Sequence, residues 1–160
     1  MSDQYAFYKA GYVRRWHHRP EIQQQTVGQH TFGMLCLLLK LHPNPSSNLM
    51  KAIICHDLAE SVYGDFSHEA KQALPQLNDI EASLSDTFLK SHGIELDKLD
   101  AKDRLWIDYL DQLEVLHYMA FHPDDPEVEV IASAVFSVVS KLHKRLQALG
   151  FFLEPEDKLH

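Results

Sequence analysis

Cysteine is scarce in this chain. Its two residues, Cys36 and Cys55, both lie inside apolar runs with no CxxC spacing. This argues against a disulfide scaffold or a thiolate metal site and reads as buried, reduced thiols. Positive charge is also short. Lys and Arg number 15 against 23 Asp and Glu, a formal net charge of -8, so a long nucleic-acid backbone would meet repulsion rather than a basic footprint. A small phosphorylated ligand stays open, because two or three local cations suffice to hold it. No window approaches the roughly 18 apolar residues of a membrane span. The opening MSDQYAFYKAGYVRRW lacks an apolar core of signal-peptide length. The expectation is a cytoplasmic chain with no membrane and no nucleic-acid partner.

What is present suits helices. With 160 residues and 45% hydrophobic content, the chain can bury a sizeable core as one domain spanning 1–160 without disulfides. Thr26-Val27-Gly28-Gln29 has the form of a capping box, and an apolar run from Met34 to Leu41 follows until Pro43 and Pro45 stop it. His30 falls in the first turn of this predicted helix. Ser46 or Ser47 can cap the next, where Leu49, Met50, Ile53, Ile54 and then Asp57 share a stripe.

A third amphipathic helix is marked by Leu77, Ile80, Leu84 and Phe88 and stopped by Gly93. Asp100 can cap a fourth, from about Ala101 to Phe121, ended by His122-Pro123; its Trp106, Tyr109, Tyr118 and Phe121 read as core. The last has Asp125 as cap, Pro126 at its first position and Gly150 past its end. Val128, Ile131, Val135, Val138, Val139 and Leu142 form its buried side. Only the short VEVIA stretch alternates like a strand, and its caps and length favour helix. The expected fold is all-α, with about six helices and a tail no longer than PEDKLH. Phe151-Phe152-Leu153 reads as a packing segment or a subunit contact.

One stretch conflicts with burial. In AIICHDLAESVYGD, residues 52 to 65, His56 and Asp57 are predicted mid-helix among Ile53, Ile54, Cys55 and Leu58. A lone carboxylate there costs several kcal/mol unless a cation or hydrogen bonds stabilise it. A divalent metal resolves the conflict. Further His, Asp or Glu ligands must then come from neighbouring helices: His30 from the preceding helix, and Asp111 from a later one, with Asp108 its competitor one turn earlier. The set would be two histidines and two aspartates.

These residues resemble the HD-domain metal-dependent phosphohydrolases. Arg15-Trp16 before the first histidine, VGQH around His30, HDLAE with Glu60, Gly64-Asp65 and then Lys71 are similar to the bacterial 5'-deoxynucleotidase branch. They match the small phage dATP triphosphohydrolases more closely. The resemblance implies that His30, His56, Asp57 and Asp111 hold one divalent transition metal (Zn, Co or Mn), with additional Mg or Mn accompanying the substrate phosphates. It implies that Glu60 and Asp65 act beside it, that Arg15 and Lys71 meet phosphate, and that Trp16 shapes the nucleoside pocket. LDQLE around Asp111 reads like the family's A-D-x-L-E pattern. A leucine precedes Asp111 where the family has a small residue, however, and IDYLD around Asp108 fits nearly as well, so both aspartates stay candidates.

The resemblance further implies a homo-oligomer, located in the host cytoplasm if phage-encoded, that hydrolyses dATP to deoxyadenosine and triphosphate. A deoxynucleoside 5'-monophosphatase using the same residues is the nearest alternative, and a non-catalytic nucleotide-sensing domain is a third. On physical grounds Glu60, three residues beyond Asp57, can reach and orient or deprotonate an attacking water. Lys71 offers a point charge and Arg15 a planar fork to phosphate.

Overall fold

Capping side chains decide where the long helices begin. The structure, a computed structural model, describes residues 4–20, 22–121 and 126–153. Among these the chain is all-α, as expected, with eight helical segments rather than six and no strand. The segments are α1 (Gln4–Ala10), α2 (Val27–Leu41), α3 (Ser47–Cys55), α4 (Glu60–Tyr63), α5 (His68–Ala73), α6 (Leu77–Ser91), α7 (Ala101–Ala120) and α8 (Pro126–Ala148). Thr26 caps α2 in a full capping box with Gln29, Ser46 rather than Ser47 caps α3, and Asp100 accepts from the Asp103 N–H at 2.7 Å to start α7. The stop at His122-Pro123, the cap at Asp125 and the tail at residues 155–160 lie outside the described residues.

The core is built by α2, α3, α7 and α8 around Met34, Leu38, Leu49, Ile53, Trp106, Tyr109, Leu110 and Val139. Each such buried side chain stabilises the fold by ~1.5–3 kcal/mol relative to exposure. α7 is central, packing on α2, α3 and α8. Phe151 lies edge-on to Trp106 at 5.0 Å and Leu153 is buried, whereas Phe152 is fully exposed.

Several expected core positions differ. Phe121 is 81% exposed at the end of α7, and Val138, Ile80 and Leu84 are also exposed. α6 packs through Phe88 and Leu89 at its last turn against Cys55 and Ala59, and earlier it meets α5, where Glu81 pairs with Lys71, while Ile80 and Leu84 on its stripe stay exposed. Cys55 is buried but Cys36 is exposed, because it lies on the flank of α2 turned away from Met34 and Leu38.

The largest correction concerns the HD pair. His56 is the C-cap of α3, not a mid-helix residue. The Ile53 carbonyl, which a continuing α-helix would offer to the Asp57 N–H, accepts from His56 Nδ1 at 2.6 Å. The backbone tightens into three-residue bonds, Leu58 N–H to Cys55 O at 3.3 Å and Glu60 N–H to Asp57 O at 3.1 Å. The turn carries His56 and Asp57 off the helix and leads into α4.

Candidate metal centre

Four segments converge at the first turn of α2. His30 is fully buried there. The loop before α2 is clipped back onto it: Arg15 N–H donates to Gln25 O at 2.7 Å, Val27 N–H to Val13 O at 2.9 Å and Gly28 N–H to Gly11 O at 3.2 Å. A Cβ on Gly28 would lie 3.0 Å from the Gly11 carbonyl oxygen, so glycine permits this approach. The clip delivers Arg15 beside the HD turn. Trp16 follows at φ 63, a left-handed backbone rare for a bulky residue and costing on the order of 1–3 kcal/mol. Its ring packs against the cluster of Ile22, Val115, Met119 and Val128, and its buried Nε1 has no hydrogen-bond partner.

Ligand atoms of His30, His56 and Asp111 all lie within 4.8 Å of one another. His30 Nε2 is 3.0 Å from Asp111 Oδ1, and the two imidazole centroids are 5.5 Å apart. Asp57 stands against this group, its Oδ2 3.2 Å from His56 Nε2 and 3.2 Å from Arg15 Nη1. The compact group is therefore three residues, with Asp57 shared between the ring and the guanidinium. Of the two late aspartates, Asp111 faces His30. Asp108 is exposed and lines a separate groove of about 470 Å³ with Lys98, Arg104 and Arg145.

The donor set fits a divalent transition metal. The Nε2 atoms of His30 and His56 are buried and face carboxylate oxygens, Asp111 Oδ1 at 3.0 Å and Asp57 Oδ2 at 3.2 Å, while each Nδ1 is engaged, that of His30 by Glu114 Oε2 and that of His56 by the Ile53 carbonyl. Rings held by Nδ1 present the Nε2 lone pair to a metal. Imidazole nitrogens and carboxylate oxygens are ligand types that several divalent transition metals accept.

The electrostatics follow from burying so many charges together. Burial opposes ionisation of Asp57, but His56 and Arg15 outweigh it and hold the carboxyl at about 2. Asp111 is likewise held below the usual carboxylate range by His30 and Arg15 against the effect of burial. Burial disfavours the His56 imidazolium, yet Asp57 and Asp111 lift it to about 9. Glu60 goes the other way: burial, then Asp57 and Asp65, push it up to about 8. Its Oε2 is buried without a partner. Asp65 is raised by burial, with Arg15 and Lys71 pulling against that. Lys71 is half-buried, and its Nζ lies 2.8 Å from Glu81 Oε2.

Three neighbours of His30 escaped the sequence reading. Glu114 accepts from Gln25 Nε2 at 2.7 Å through its other oxygen, and Gly33 leaves the room for its carboxylate. The available signal was Glu114 itself, an acidic residue between Leu113 and Val115 in the LDQLE run, one turn beyond Asp111.

No curated protein and no solved structure matches the chain. An HD domain family model matches residues 11–112, the stretch that holds Arg15, His30, the His56–Asp57 pair and Asp111. HD domains are generally metal-dependent phosphohydrolases, and this chain belongs to the HD domain family.

Proposed function

We propose that this chain is a metal-dependent deoxynucleotide phosphohydrolase whose substrate is dATP, cleaved by water to deoxyadenosine and triphosphate. The observation that carries the reading is the convergence of two buried imidazole Nε2 atoms with the Asp111 carboxylate, all within 4.8 Å of one another, with a half-buried arginine alongside. His30, His56 and Asp111 hold the metal, and Asp57 joins them as the fourth ligand. When bound, a divalent metal supplies a Lewis acid for the phosphoryl oxygen and makes water a better nucleophile.

The chain's own groups do the rest. Arg15 presents two N–H groups toward the site and offsets charge growing on the phosphoryl oxygens. Glu60 Oε2 takes the proton of the attacking water as the bond between the α-phosphorus and the 5' oxygen breaks, and the carboxyl can return that proton to the departing 5' oxygen. Asp65, in the loop after Gly64, shares the proton traffic or binds the sugar hydroxyl. Trp16 gives the sugar and base an apolar wall.

The choice of dATP rests on the resemblance of VGQH, HDLAE, Gly64-Asp65 and Lys71 to the phage enzymes. One observation favours the 5'-deoxynucleotidase reading instead. Lys71, the cation that would meet phosphates beyond the first, is paired with Glu81 at 2.8 Å. Incubating the metal-loaded protein with each dNTP and each dNMP and identifying the inorganic product separates the two. Triphosphate from dATP supports our choice, and orthophosphate from monophosphates alone rejects it.

A further inference from the structure

Glu114 is a carboxylate buried in the interior of the fold, 7% exposed, with Gln25 beside it at 1%. Such a charge is costly unless both oxygens are satisfied, and here they are. Oε2 meets His30 Nδ1, and Oε1 accepts from Gln25 Nε2 at 2.7 Å. The space is reserved as well. A Cβ on Gly33, one turn after His30 on α2, would fall 2.8 Å from Glu114 Cγ and 2.9 Å from Oε1. Three segments thus converge on one carboxylate that, among the described residues, holds the His30 imidazole and the Gln25 amide.

We infer that Glu114, oriented by Gln25, is a positioning residue that fixes the proton of His30 on Nδ1 and so turns its Nε2 lone pair toward the metal. The inference rests on the metal-centre reading above and deepens it. It also makes the two histidines unequal. His30 is backed by a carboxylate, a charged acceptor for the Nδ1 proton, whereas His56 is backed by the neutral Ile53 carbonyl. His30 is therefore the anchoring ligand.

The test exploits the donor count. A carboxylate accepts from both His30 and Gln25, but an amide has one acceptor oxygen and one donor group. In Glu114→Gln the negative charge behind Nδ1 is lost in either amide orientation, and with Gln25 Nε2 facing residue 114 as it does here, the new NH2 donates to His30 Nδ1 and the ring proton moves to Nε2, the wrong tautomer. The double variant Gln25→Glu with Glu114→Gln reverses the roles, and its amide oxygen can again accept from Nδ1. The readouts are zinc affinity by competition with a chromophoric chelator, the cobalt(II) visible spectrum, and the His30 tautomer from ring 15N shifts at a pH where the ring is neutral.

We expect the single variant to bind zinc ten- to hundredfold more weakly with an altered cobalt spectrum. The double variant should regain most of the affinity. Unchanged affinity in Glu114→Gln, no recovery in the double variant, or a wild-type His30 proton on Nε2 each overturns the inference. Should Glu114→Gln not fold, the wild-type tautomer still decides. Should the wild type bind no metal, the proposed function fails, and the ring shifts still report the Glu114–His30 relation separately.

Discussion

Arg15 Nη1 lies 3.2 Å from Asp57 Oδ2, and this one guanidinium also reaches Asp111, with Nη2 3.7 Å from its Oδ1. The arginine joins the loop before α2 to both the HD turn and α7. It stabilises two half-buried carboxylates and stands where an anionic phosphate would arrive. Asp57, Asp111, Glu60 and Asp65 all act on its charge and outweigh the burial that opposes it, so it stays firmly cationic.

Removing that cation should lower turnover and also stability, because Asp57 and Asp111 lose a shared partner. For Arg15→Ala we expect kcat/KM to fall by ~10²–10³, the usual cost of losing one donor to developing charge. Arg15→Lys should recover only part, because a point charge cannot reproduce the fork. Product release from the preferred deoxynucleotide measures both, and an unchanged kcat/KM in Arg15→Ala would count against a phosphate role.

Gly33 gives a prediction of reversed sign. Gly→Ala within a helix normally stabilises by roughly 0.5–1 kcal/mol. Here the new methyl would press on the buried Glu114 carboxylate at 2.8–2.9 Å, an overpacked contact that should cost about 1–3 kcal/mol net. Urea unfolding of Gly33→Ala decides the sign, and a stabilised variant would show that Glu114 has another place to go.

The loop carrying Arg15 is tied to α5 through Glu69, which pairs with Arg19 and with His18 at 3.4 Å. Its own backbone N–H first, and Arg19 next, hold the Glu69 carboxyl at about 2, below the ordinary 4.5. The folded state thus favours the ionised form, so the contribution is complete above about pH 4.5 and disappears as pH falls toward 2. Because the pair is exposed, solvent screening limits it to ~0.2–1 kcal/mol. The stability gap between wild type and Glu69→Gln, followed by denaturant titration, should close on acidification. A gap constant from pH 6 to pH 2 would mean that the ion pair contributes nothing.

Local chemistry made much of this legible in advance. Thr26 with Gln29, Ser46 and Asp100 mark helix starts through side-chain oxygens acting within three residues, so no tertiary information is needed to read them. The HD pair was visible for a similar reason, as polar residues in an apolar run. What periodicity could not show was that the ring of His56 takes the Ile53 carbonyl and ends α3 at that point. Nor could it choose between Asp108 and Asp111, one turn apart on α7, because the choice depends on where α2 lies. Glu114 was hidden most completely. Its partners are 84 and 89 residues away, and an isolated glutamate in a helix ordinarily faces water. Phe121 failed in the other direction: it keeps the period of the buried face but falls at the end of α7 and is 81% exposed.

The central claim is that a divalent metal belongs between His30, His56 and Asp111 and is needed for phosphoester hydrolysis. Elemental analysis of the purified protein, paired with turnover before and after chelation, tests it most directly. The account predicts a transition metal bound at about one per chain, turnover abolished by chelation and restored by adding zinc, cobalt or manganese back, and neither metal nor turnover in His30→Ala. Chelated, metal-free protein that hydrolyses deoxynucleotides at the full rate would contradict it.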